Sequence, residues 1–172
     1  MDMAEDDASL VERCKRGDAA AFDDLVRRHR SKVLNLALQM MGDAEAAEDL
    51  AQEAFVSAFR ALPRFRGESS FFTWVYRITL NLCFAFLSRR HPSAAPHTSE
   101  AIANSPAEPV LRKMQVRRAL DTLGPELRST LILREIHGLT YQEIAEIASI
   151  PVGTVRSRLS AARERFRKAM EE

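Results

Sequence analysis

GLTYQEIAEIASIPVGTVRSRLSAARERFRK, residues Gly138–Lys168, is the stretch from which the rest of the chain is read. Thr140 and Glu143 have the Thr-x-x-Glu spacing of a capping box, so a helix starts at Tyr141. Ile144, Ile147 and Ala148 fall on one side of it, and Ser149 ends it. Pro151 suits the first position of a second helix, where its missing N–H is not needed. In that second helix Val152, Val155, Leu159, Ala162 and Phe166 recur at spacings of three and four, which makes one apolar face. A short helix, a tight turn and a long basic helix read as a helix-turn-helix.

The far side of the second helix is more specific than its charge. At about 100° per residue, the side opposite the apolar stripe carries Gly153, Thr154, Ser157, Ser160 and Ala161, all small. Arg156, Arg163 and Arg167 line one flank of that strip, and Arg158 and Arg165 line the other. Small residues let a helix backbone sit deep in the DNA major groove, and arginines on both shoulders reach phosphates or guanine edges. A plain amphipathic helix explains the stripe but not the small apex between arginine rows.

Composition sets the frame. The chain has 172 residues, 46% of them hydrophobic, enough for one domain or two small ones. Glycine is scarce and strict alternation is absent, so the expected class is all-α. A formal net charge of +1 conceals an asymmetry. Acidic residues crowd the N-terminal third (Asp2, Glu5, Asp6, Asp7, then Asp43 to Glu53), and arginines crowd the C-terminus. That polarity suits partners of opposite character, one of them nucleic acid. Cys14 and Cys83 have no metal-binding or disulfide spacing. No nucleophile–base pattern appears either, so neither catalysis nor a cofactor or metal is expected. With no signal peptide and no apolar run of membrane-spanning length, a cytoplasmic location without membrane insertion is expected.

Along the chain, Ser9–Arg16 reads as a short helix stopped at Gly17-Asp18. Ala19–Met41 reads as a long one, with Phe22, Leu25, Val26, Val33, Leu36 and Met40 facing a core and Gly42 as its stop. Asp43 caps the next, Ala44–Leu62, which buries Leu50, Ala54, Phe55, Ala58 and Ala61. Its other side holds Glu45, Glu48, Asp49, Gln52, Glu53 and Arg60, with Val56 at the centre and Phe59 at the edge. One apolar residue centred in a hydrated face is either a stray valine or a protein-docking patch. Pro63 opens the loop Arg64-Phe65-Arg66-Gly67-Glu68-Ser69, and Ser69 or Ser70 caps a helix running to Arg90. That helix is apolar nearly all round except for a stripe of Thr73, Arg77, Asn81 and Ser88 edged by Trp74 and Phe84. Such a stripe is either a core edge or a surface for unstacked bases.

HPSAAPHTSEAIANSPAEP, from His91 to Pro109, is rich in Pro, Ser and Ala and reads as a flexible linker. The expected organisation is therefore two small helical domains, residues 1–90 and 110–172, joined by residues 91–109. In the second, Leu111, Met114, Ala119, Leu120 and Leu123 face a core before the break at Gly124-Pro125. The helix Glu126–His137 then contributes Leu127, Leu131 and Ile136.

With both halves laid out, DLAQEAFVSAFRAL (Asp49–Leu62), FRGESSFFTWVYRI (Phe65–Ile78) and the run Leu123–Arg163 carry a resemblance. Together they resemble the extracytoplasmic-function group of sigma-70 factors of bacterial RNA polymerase, close to the envelope-stress type. The resemblance implies that Asp49, Gln52, Glu53, Val56, Phe59 and Arg60 dock on core RNA polymerase. It implies that Arg64, Phe65, Arg66, Ser69, Thr73, Trp74, Arg77 and Asn81 hold flipped-out bases of the promoter −10 element. Gly153, Thr154, Arg156, Ser157, Arg158, Ser160, Arg163 and Arg167 would then meet the −35 element. An anti-sigma factor is the further partner that the resemblance implies. Leu80, Ala85 and Ala161 depart from the pattern: family members often carry a basic residue at the first, an acid or amide at the second and a basic residue at the third. The alternative is a helix-turn-helix regulator of the response-regulator or quorum type, which needs an α/β domain upstream.

Overall fold

A computed structural model describes residues 5–89 and 108–171, and every regular element among them is helical. The chain divides into two compact units, Met1–Cys83 and Phe84–Glu172, the cut falling inside a helix. Most of the expected linker, residues 91–107, lies outside the described residues, as does Arg90.

In the first unit, α1 (Asp7–Lys15) is capped by Asp6, whose carboxylate accepts from the Ser9 N–H at 2.8 Å. It begins two residues before the expected start because the cap is Asp6. α2 (Ala19–Met41) has the expected bounds, capped by Asp18 and stopped by Gly42 at φ 72°. Asp43 caps α3 (Ala44–Ala61), so α2 and α3 form a helical hairpin. Leu25, Val33, Leu36, Met40, Leu50, Ala54, Phe55 and Ala58 are buried in its core. A fully buried leucine or phenylalanine stabilises by about 1.5–3 kcal/mol. α3 stops one residue early, and a 3-10 turn, Leu62–Arg64, carries the chain past Pro63. The tighter turn rotates Leu62 into the core and leaves the expected Ala61 half-buried.

α4 (Phe71–Arg89) packs on α2 through its aromatic residues. Phe71 meets Phe22 and His29 at centroid distances of 6.5 and 5.4 Å, and the Tyr76 hydroxyl donates to the Lys32 carbonyl at 3.3 Å. Burial raises the Tyr76 pKa and pushes the Cys83 thiol up to about 12, so both stay neutral. α4 has 19 residues and is apolar enough to cross a membrane by length and composition, which corrects the expectation that no run approaches that length. Its apolar character serves the core, where Phe71, Val75, Tyr76, Leu80 and Cys83 are buried. α1 is tied to α2 by Asp7, which pairs with Arg28 at 3.1 Å and with buried His29 at 2.6 Å.

In the second unit α5 (Glu108–Asp121) takes in Glu108 and Pro109, which composition had placed in the linker. Only its last turns pack, burying Ala119 and Leu120. Leu111 and Met114, expected in the core, are 47% and 38% exposed, since the buried residues of α5 are confined to Ala119 and Leu120 near its C-terminal end. α6 (Pro125–Glu135) follows, and Ile136, also expected in the core, is its C-cap and 50% exposed. Arg128 is buried and donates to three carbonyls at the end of α5 and just beyond it: Leu120 at 2.9 Å, Asp121 at 3.2 Å and Leu123 at 3.3 Å. It thereby satisfies acceptors that a helix end otherwise leaves open. Desolvation lowers its pKa, opposed by Asp121.

Candidate nucleic-acid and polymerase interfaces

α7 (Tyr141–Ala148) and α8 (Val152–Glu171) realise the helix-turn-helix. Both halves of the capping box are made: the Glu143 N–H donates to Thr140 Oγ1 at 3.2 Å, and the Thr140 N–H donates to Glu143 Oε2 at 2.8 Å. Those bonds favour the ionised carboxylate and hold its pKa below the ordinary value. Ser149 turns the chain in the left-handed region at φ 55°. Pro151 serves as the cap of α8 rather than its first residue, its carbonyl accepting from Thr154 and Val155. Val155, Leu159 and Ala162 are buried, as their spacing predicts.

The opposite face of α8 is open. Gly153, Ser157 and Ser160 are exposed, and Thr154 and Ala161 are partly so. The arginines do not form two equivalent rows. Arg158 is mostly covered and pairs with Glu126 of α6 at 3.2 Å. Arg163 is held by Glu135 at the end of α6, through Nε at 3.0 Å and Nη2 at 2.6 Å. Arg167 pairs with Glu171 at 2.6 Å within α8. Arg156 and Arg165 are exposed and make no ion pair with the described residues. The tethered pair, Arg158 and Arg163, are the arginines nearest the apolar stripe, where α6 lies within reach.

In the first unit the loop after α3 is basic and exposed at Arg64 and Arg66, with Ser69 half-buried. Ser70 caps α4, its hydroxyl accepting from the Thr73 N–H and donating to Thr73 Oγ1, each at 3.1 Å. Thr73 is therefore 4% exposed, which corrects its expected place on the open stripe. Phe65 and Trp74 lie against each other with centroids 4.5 Å apart and planes at 32°. A base that stacks on that face of Trp74 has to displace Phe65. Arg77 is half-buried, and Asn81 and Ser88 are exposed further along α4.

On α3, Asp49, Gln52, Glu53 and Arg60 are exposed, Val56 is half-buried and Phe59 is 52% exposed. Val56 and Phe59 border a cleft of about 620 Å3 between α2 and α3, with Phe22, Val26, Leu34 and Phe55 contributing apolar walls. Gln52, Glu48, Arg30 and Arg60 rim it. The α3 face expected to dock on a protein thus borders an apolar cleft with a charged rim, to which α2 contributes a wall that was not foreseen. The partners Glu126 and Glu135 were also missed, since nothing local marks a carboxylate as the tether of an arginine on another helix.

A helical unit with an apolar cleft, and a second unit with a basic helix-turn-helix, define the architecture of a DNA-binding protein. Residues 25–92 match the family described as Sigma-70 region 2, and residues 113–166 match Sigma-70, region 4. The chain is 42% identical over 183 residues to the RNA polymerase sigma-H factor of Pseudomonas aeruginosa, covering 97% of this chain and 95% of that one. It is 40% identical over 176 residues to the ECF RNA polymerase sigma-E factor of Escherichia coli, covering 92% and 91%. In fold it is similar to CnrH, solved in complex with the cytosolic domain of CnrY (TM-score 0.75, 24% identity, 94% of this chain and 95% of that one). It is likewise similar to the sigma factor RpoE of Bartonella quintana, solved with the anti-sigma factor NepR (TM-score 0.69, 24% identity, 87% and 96%). The chain belongs to the sigma-70 family of RNA polymerase sigma factors, in its extracytoplasmic-function group. As a sigma factor it directs promoter recognition and transcription initiation by RNA polymerase. The regulator alternative is set aside, because α1–α4 occupy the place where it needs an α/β domain.

Proposed function

We propose a division of labour among the three surfaces. The α3 face, from Asp49 to Arg60, docks on core RNA polymerase through the cleft beside Val56 and Phe59. The loop Arg64–Ser69 with Trp74, Arg77 and Asn81 captures unpaired bases of the −10 element, and α8 reads the −35 element. Residues 1–90 and 110–172 are the two domains that carry these surfaces. The observation that supports this reading best is the open, small-residue face of α8 with exposed Arg156 beside it. Melting needs no bond chemistry from this protein. Trapping a flipped base offsets a few kcal/mol of unstacking and unpairing. An anti-sigma factor is the proposed regulator, and the cytoplasm the proposed location.

The test mixes purified protein with sigma-free core polymerase and measures promoter-dependent transcription. Glu53→Lys inverts a charge on the exposed α3 face, where a substitution costs at most about 0.5 kcal/mol of stability. The expected outcome is a folded variant that no longer captures core polymerase in a pull-down. Unchanged capture removes this face from the interface.

A further inference from the structure

Glu135 is the last residue of α6 and lies outside the surfaces assigned above. Its Oε1 accepts from both Nε and Nη2 of Arg163, at 3.0 and 2.6 Å, and the two side chains are 47% and 51% exposed. The hydrogen bonds to Glu135 raise the Arg163 pKa, and the Tyr141 hydroxyl adds a smaller contribution in the same sense. Tyr141 is itself held, its ring 5.3 Å from the Arg134 guanidinium, while Arg134 Nη1 donates to the Leu139 carbonyl at 2.7 Å. The end of α6, the start of α7 and the middle of α8 thus converge on one guanidinium.

A guanidinium is planar and carries its donors in a rigid fork, so gripping one edge fixes the direction of the other. Arg163 lies on the flank of α8, between the buried stripe and the small apex. When the apex enters a groove, a flank faces the groove wall, and the wall is made of phosphates. A loose arginine loses rotamer freedom on reaching a phosphate, and one already held loses less. We infer that Glu135 is a positioning residue for DNA binding: it holds Arg163 so that the outer edge of the guanidinium meets a backbone phosphate. The inference rests on the proposed role of α8.

The sign of one substitution separates this from the ordinary role of a surface carboxylate. Removing a negative charge from a DNA-binding surface normally tightens binding, since the charge repels phosphates. Here its removal weakens binding. An ion pair this exposed adds little to fold stability, so melting temperature and DNA affinity respond separately.

The probe is a short duplex selected by the wild-type full-length chain from a randomised pool, with affinity measured across a salt series. Glu135→Ala is expected to weaken binding about threefold, the scale of a partly exposed pair. The same change makes the salt slope shallower by about one, as for a lost phosphate contact. Melting should be unchanged, and Glu135→Gln, which keeps an acceptor, should recover most of the loss. In an Arg163→Ala background Glu135→Ala should cost nothing further. Tighter or unchanged binding by Glu135→Ala overturns the positioning role while leaving α8 as the DNA reader. If the wild-type chain selects no duplex at all, the α8 reading falls and this one falls with it.

Discussion

Arg156 and Arg167 share a flank of α8 but not an environment. Arg156 is exposed near the N-terminal end, beside Gly153 and Ser157, and has no ion pair with the described residues. Arg167 lies some three turns further on, paired with Glu171. An arginine near the entering end of a recognition helix reaches base edges, and one further along passes phosphates. Losing a bidentate base contact costs about 1–3 kcal/mol and relaxes preference at one position. Losing a phosphate contact weakens all sequences alike. Binding to a panel of −35 variants at several salt concentrations should therefore show flattened discrimination for Arg156→Ala. Arg167→Ala should keep the ranking with a shallower salt slope. A full ranking retained by Arg156→Ala means that the helix docks in another orientation.

Among the elements, α7 depends most on a single local device. Glu143 is held below its ordinary pKa of 4.5 by the Thr140 N–H first and the Thr140 hydroxyl second. A lowered folded-state pKa means stability that is fully present above the unfolded value and lost as pH falls through the folded one. Thermal melts of wild type and Glu143→Ala should differ at neutral pH by about 1 kcal/mol, the usual scale of a cap. The two should converge as pH falls through the lowered pKa of the folded state, where the carboxylate protonates. The same element shows why parts of the fold were legible. A capping box, an apolar period and Gly42 at the end of α2 act within a few residues, so α2 and α7 have the bounds that their sequences imply. The failures involve neighbours that periodicity does not encode. Leu111 and Met114 keep the period of a core face but are exposed among the described residues. Thr73 has the period of an open stripe but is drawn into the cap by Ser70. Arg163 is separated from Glu135 by 28 residues, and only the packing of α8 on α6 brings them together.

At the scale of the whole molecule, net charge is nearly silent: +1 overall, with acid concentrated toward α3 and arginine on α8. The proposed polymerase-facing and promoter-facing surfaces are of opposite sign, and the proposed two-domain organisation lets each be placed separately. Residues 91–109 are rich in Pro, Ser and Ala and offer little apolar surface to bury. Brief proteolysis of the full chain should cut first between His91 and Pro109 and leave two resistant fragments, resolved by mass spectrometry. First cuts inside α3 would contradict the two-domain proposal.

Trp74 is the chain's single tryptophan, and it lies against Phe65 at 4.5 Å and Phe71 at 5.9 Å. The protein's whole indole emission thus originates at the loop assigned to the −10 element, with no other source to dilute it. If an entering base displaces Phe65, the environment of the emitter changes at that moment. Stopped-flow fluorescence of the unlabelled protein can therefore time base capture separately from −35 binding, whose surface on α8 contains no tryptophan. On the proposed −10 role, the Phe65–Trp74 contact would serve as a built-in optical clock for base capture.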